Sequence, residues 1–164
     1  MRDLRATFED AGYASVATYI QSGNVLFSTD AAPTELESDI ETMLERRLGV
    51  PLVVVVRAHR HLRGVVEQAP DGFGTAPDSY YSDVVFLKPP LTSAQAMRIV
   101  ELREGVDAAW PGRGVVYFQR LGARRAQSRM SRIVGRPEYQ QMTIRSWATT
   151  TRLLALLAAQ DAAG

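Results

Sequence analysis

The 164 residues, 46% hydrophobic and 23% charged, fit one mid-sized globular domain or two small subdomains. No apolar run approaches the roughly 18 residues that cross a bilayer, the opening Met1-Arg2-Asp3-Leu4-Arg5 lacks the apolar core of a signal peptide, and the absence of cysteine excludes disulfides, thiolate metal sites and a Cys nucleophile. The expected setting is cytoplasmic, and the net charge of +1 hides an asymmetry: residues 1–112 hold ten basic and sixteen acidic side chains, whereas residues 113–152 hold nine arginines against the single acid Glu138.

In chain order, Leu4, Phe8 and Ala11 recur at helical spacing and predict a short helix over Asp3–Ala11, stopped by Gly12. Two β-rich runs, Thr18–Ile20 and Val25–Ser28, flank Gln21-Ser22-Gly23-Asn24 and predict a tight hairpin. Pro33 and Thr34 open a helix to about Leu48, with acids in its first half, Arg46 and Arg47 in its last turn, and Gly49 at the C′ position. The continuous apolar run Pro51–Arg57 predicts a buried strand. Arg60–Gln68 reads as helix and Asp71–Ser79, rich in Gly, Pro and Asp, as a linker. Tyr80–Leu87 reads as a strand closed by Pro89-Pro90, Thr92 as the N-cap of a helix to about Glu104, and Val115–Leu121 as a strand. A basic helical segment is expected over Gly122–Gly135, broken by Pro137, and a final helix over Thr143–Ala159 with Thr143 as its cap. The order divides the chain into an N-terminal half over 1–70, a linker over 71–79 and a C-terminal α/β half over 80–164. The first half has the order of a ferredoxin-like βαββαβ unit without its first strand.

No catalytic constellation emerges. His59 and His61 are alternate residues past a strand, but Arg57, Arg60 and Arg63 around them repel a cation, so no metal site is expected. No Gly-x-Ser-x-Gly elbow, Walker loop or paired base is present, and no cofactor is expected. On one helix Arg125, Arg129, Arg132 and Arg136 would fall at i, i+4, i+7 and i+11, lining one face with guanidiniums opposite an apolar stripe of Ala126, Met130, Ile133 and Val134. Such a face suits phosphate, because Arg offers a planar fork of donors; the first alternative is that these arginines pair internally with the acids of residues 35–45 or are simply solvated. Arg145 joins this set as a further anion-binding candidate. At the hairpin, Tyr19, Gln21, Ser22 and Asn24 form a polar tip able to contact a base edge or a peptide backbone.

The string Thr18–Ser28 resembles the DUF1697 family, a bacterial domain of unknown function. The resemblance extends to Asp3-Leu4-Arg5 with Gly12, to Leu52–Arg57, to Val84-Val85-Phe86-Leu87 with the two prolines, and to Thr143–Leu154, which is similar to the family's Thr-x-Arg-Asn-Trp-x-Thr. Ser146 stands where the family has Asn, and Arg152 where it has Lys. The resemblance implies an α+β fold of two ferredoxin-like halves with antiparallel sheets. It also implies a first strand and a Gly-rich loop ahead of the residues present here, so a misplaced start or a shortened chain is expected. Without that strand, the edges of Val25–Ser28 or Leu52–Arg57 should lie open and favour a homodimer.

The function these features favour is a cytoplasmic, non-catalytic module binding an anionic partner, either nucleic acid or a phosphorylated small molecule. The alternatives are an enzyme clamping a small anionic substrate with Arg145, Arg125 or Arg129, and a protein-interaction scaffold. No membrane partner is expected.

Overall fold

A computed structural model describes residues 2–20 and 23–164. The fold is α+β, with one two-stranded and one four-stranded antiparallel sheet. Two compact units divide the chain: residues 1–58 with 155–164, and residues 59–154. Among the described residues no helix is long and apolar enough to cross a membrane.

The first unit runs α1 (Arg2–Asp10), β1 (Ala14–Tyr19), β2 (Asn24–Ser28) and α2 (Pro33–Leu48). Phe8, Val16, Leu36, Ile40 and Leu44 form its core. Phe8, Tyr13 and Phe27 pack as a tilted aromatic triad with centroids 4.9–5.4 Å apart. Pro33 sits in the first turn of α2, and Gly49 closes the helix in the left-handed region (φ 72°), its N–H donating to the Glu45 carbonyl. The β1–β2 register shifts between Ala14 and Ala17, where Ser15 adopts φ 52° and its carbonyl accepts from Gln160 Nε2 at 3.0 Å.

The apolar run Pro51–Arg57, expected as a strand, pairs with no strand among the described residues. Carboxylates of α2 take the place of a neighbouring backbone: Glu41 Oε1 accepts from the Val54 N–H at 2.8 Å and Glu37 Oε1 from the Val56 N–H at 3.0 Å. Val54 and Val56 pack on the core, while Leu52 and Val53 are exposed. A β-rich run becomes a strand only when another strand meets its edge, and here side chains occupy one edge instead.

The second unit runs α3 (His59–Glu67), β3 (Tyr80–Leu87), α4 (Ser93–Ile99), β4 (Asp107–Gly112), β5 (Val115–Leu121), three short 3-10 helices (Gly122–Gln127, Met130–Gly135, Pro137–Gln141), β6 (Met142–Ser146) and the start of α5 (Trp147–Ala163). The sheet order β4-β5-β3-β6 is that of a ferredoxin-like βαββαβ unit whose second helix is replaced by 3-10 turns. One face packs Val85, Leu87, Val116 and Phe118 against Ala96, Met130, Ile133 and Met142. The aromatic contacts of Phe73 with Trp110, Tyr117 and Trp147 form a second cluster, with centroids 5.2–6.1 Å apart. Segment 71–79 thus carries a buried side chain, Phe73, within this unit.

The elements differ from expectation in four places, the first being α4, which ends at Ile99 rather than near Glu104. β4 was not foreseen, because Asp-Ala-Ala-Trp-Pro-Gly has weak strand propensity; as an edge strand it tolerates Pro111. Thr143 lies within β6 rather than capping the last helix, and Ser146 Oγ caps it instead by accepting from the Thr149 N–H at 3.1 Å. The basic segment 122–135 is not one α-helix. Arg124 leaves helical φ/ψ, and the Arg129 N–H donates to Asp107 Oδ2 at 2.9 Å instead of continuing a helical ladder.

Candidate anion-binding site

Because 122–141 folds as separate 3-10 turns, Arg125, Arg129, Arg132 and Arg136 do not line one helix face. Arg132 is neutralised by Glu101, Nη1 to Oε2 at 2.6 Å. Arg129 is half-buried, its backbone tied to Asp107, whose Oδ2 also accepts from the Arg103 N–H at 2.9 Å. Arg136 is exposed at the junction of the second and third turns. Arg145 lies on β6 opposite Val84, on the sheet face opposite to that of Arg120, since faces alternate along a strand. Its Nη1 donates to Thr143 Oγ1 at 2.6 Å and to the Ile144 carbonyl at 2.9 Å. Burial pulls the Arg145 guanidinium below its usual range.

The structure brings Arg125 together with residues that the sequence pattern does not single out. Arg120 of β5 stands opposite Tyr81 of β3 in the ladder. The chain then turns at Gly122, whose N–H donates to the Ser79 carbonyl at 2.8 Å. A Cβ at Gly122 would come within 3.2 Å of that carbonyl oxygen and 3.5 Å of the Tyr81 ring, so glycine permits the close return over the start of β3. Arg125 is thereby laid on Tyr81, with Cζ 5.3 Å from the ring centroid and Nη1 donating to the hydroxyl at 2.9 Å. Arg120 Cζ lies 5.6 Å from the same centroid. Its Nη1 reaches Met130 Sδ at 3.5 Å and its Nη2 lies 3.8 Å from Asp83 Oδ2. Arg120 Nε and Asp107 Oδ1 are buried without a hydrogen-bond partner among the described residues. Burial lifts the Asp83 carboxyl above its ordinary range, with the Arg120 charge opposing.

The hairpin tip is divided. Gln21 and Ser22 lie outside the described residues. Asn24 is buried in β2, its Nδ2 donating to the Tyr19 carbonyl at 3.1 Å, so its amide braces the hairpin. His61 Nε2 lies 2.9 Å from the Arg113 carbonyl and His59 Nε2 lies 3.5 Å from Arg63. Among the described residues no three His, Cys, Asp or Glu side chains form a metal-binding group. A Tyr and an Arg paired across neighbouring strands, Tyr81 and Arg120, leave no periodic signal; only the ladder register reveals them.

No curated protein matches the chain. Among solved structures it is similar to a conserved bacterial protein, SP0830, from Streptococcus pneumoniae, with a TM-score of 0.75 and 19% identity over 96% of this chain and 88% of that one. That likeness concerns the fold. Residues 1–117 match the family described as a protein of unknown function, DUF1697, and the chain belongs to the DUF1697 family.

Proposed function

We propose that the second unit is a non-catalytic binding module for an anionic partner, nucleic acid or a phosphorylated ligand, acting through Arg125 and Arg120, which meet on Tyr81. The observation that carries this reading is the way Arg125 is held. An exposed guanidinium is usually either loose or neutralised by a carboxylate, as Arg132 is by Glu101. Arg125 is instead oriented by the ring and hydroxyl of the neutral Tyr81. Its positive charge is retained, most of its donors stay open, and part of the entropy of fixing the side chain has already been lost. Arg124 is held in a similar way by the neutral Gln127, Nη2 to Oε1 at 2.8 Å.

The test is direct binding of a short RNA and of inorganic polyphosphate across a salt series. Affinity is expected to fall steeply with salt, and Arg125→Gln to weaken binding to both anions and reduce the salt slope by about one. Binding that ignores salt, or no binding at low salt, would refute the proposal.

A further inference from the structure

We infer that the partner is a single-stranded nucleic acid whose unpaired bases stack at Tyr80 and Tyr81. This rests on the anion-binding reading of the same surface and names the ligand.

Four observations converge. The two tyrosines are 40% and 45% exposed, among the larger apolar groups left open to solvent. They lie where β3 runs past β6, whose pairing begins only at Asp83, so no strand among the described residues pairs with them on that side. As successive residues of a strand they present rings to opposite faces. The Tyr81 face carries the guanidiniums of Arg120 and Arg125. The Tyr80 face carries Gln119 and Ser82, whose Nε2–Oγ hydrogen bond of 3.0 Å holds the amide in place and leaves its carbonyl oxygen to accept from a base edge.

An exposed aromatic ring bearing arginines, with a second exposed ring beside it in sequence, suits a flexible, base-bearing polyanion. Bases stack on aromatic rings and on guanidinium planes, while the same arginines donate in plane to phosphate. A duplex cannot use these rings, because its bases are already stacked and their faces covered. A simple phosphate has no use for them either.

The experiment compares four labelled probes with the intact chain by fluorescence anisotropy at low salt: a mixed-sequence single-stranded RNA of about ten nucleotides, an abasic strand of equal charge, the corresponding duplex, and a phosphopeptide of equal charge. The RNA is expected to bind at least about ten-fold more tightly than the abasic strand. Tyr80→Leu should remove much of that advantage while leaving the salt slope of RNA binding in place, whereas Tyr81→Leu also frees Arg125 from its hydroxyl and should lower both, with circular dichroism confirming that both variants fold. Equal binding of the abasic strand or the phosphopeptide, or preference for the duplex, would overturn the base-stacking inference and leave the anion-binding reading standing. Absence of binding by all four probes would overturn both.

Discussion

At the scale of the residue, the least expected group is Glu37. It belongs to the row of acids in the first half of α2, yet it is buried, accepts from the Val56 N–H and lies 3.6 Å from Arg57 Nη1. Burial pulls Arg57 below its usual range, with the Glu37 charge opposing. Glu37→Ala would orphan the Val56 N–H and leave Arg57 uncompensated, and is expected to cost about 3 kcal/mol in denaturant unfolding. Glu37→Gln keeps an acceptor and should cost less; equal losses would show that the charge is immaterial. Asp83 supplies a pH signature. Its native pKa lies above the ordinary 3.8, so the folded state holds this proton more tightly than the unfolded chain. The resulting stability is present below the ordinary carboxyl pKa and is lost as pH rises through the raised native value. Asp83→Asn, which cannot ionise, should therefore gain on the wild type as pH is raised from below the ordinary carboxyl value towards neutrality. A constant difference in unfolding free energy across that range would contradict this direction.

At the scale of the element, local rules worked where the information is local. Thr92 caps α4 in a full capping box with Gln95: the Gln95 N–H donates to Thr92 Oγ1 at 3.2 Å and the Thr92 N–H to Gln95 Oε1 at 3.0 Å. Thr92→Ala should cost about 1 kcal/mol, read from the thermal midpoint. Rules of pattern failed where a distant partner decides. The run 51–57 has strand composition, but its Val54 and Val56 amides go to side chains of α2, and no described residue bonds to the backbone of Val53 or Val55. Hydrogen exchange should reflect this alternation: Val53 and Val55 fast, Val54 and Val56 slower, and Val84 and Val85 in the four-stranded sheet slowest. Uniform protection from 53 to 56 would indicate a strand pairing absent here. The segment 122–135 has helical periodicity in its arginines, but Asp107, 22 residues before Arg129, captures a backbone N–H that a helix would need.

At the scale of the whole molecule, the α+β class and the DUF1697 family were both legible, since hairpin, cap and strand signals recur in the expected order and residues 1–117 match the family. The packing of the 71–79 segment was not legible. Gly72 and Gly74 read as flexible, yet Gly74 adopts φ 72° and a Cβ there would lie 2.1 Å from Trp147 Cδ1. The glycine serves contact between a loop and the start of α5 as much as turning. Gly74→Ala should destabilise the second unit by about 2–4 kcal/mol and shift the emission of the tryptophans; unchanged stability would mean that the indole moves aside without loss.

Local pattern sufficed for the helices α1 to α3, the start of α4 (which ends at Ile99 rather than near Glu104), the hairpin, strands β3 and β5, the family and the surplus of arginine after residue 112. Each of these rests on neighbours a few residues apart, where propensity, capping and alternation act. Tertiary structure alone decided that the arginines do not share a helix, that Glu37 is buried, that Asn24 braces the hairpin, and that Arg120 and Arg125 meet on Tyr81. Those outcomes depend on which strand lies beside which and on where an unpaired N–H finds an acceptor, and a linear pattern does not encode that choice.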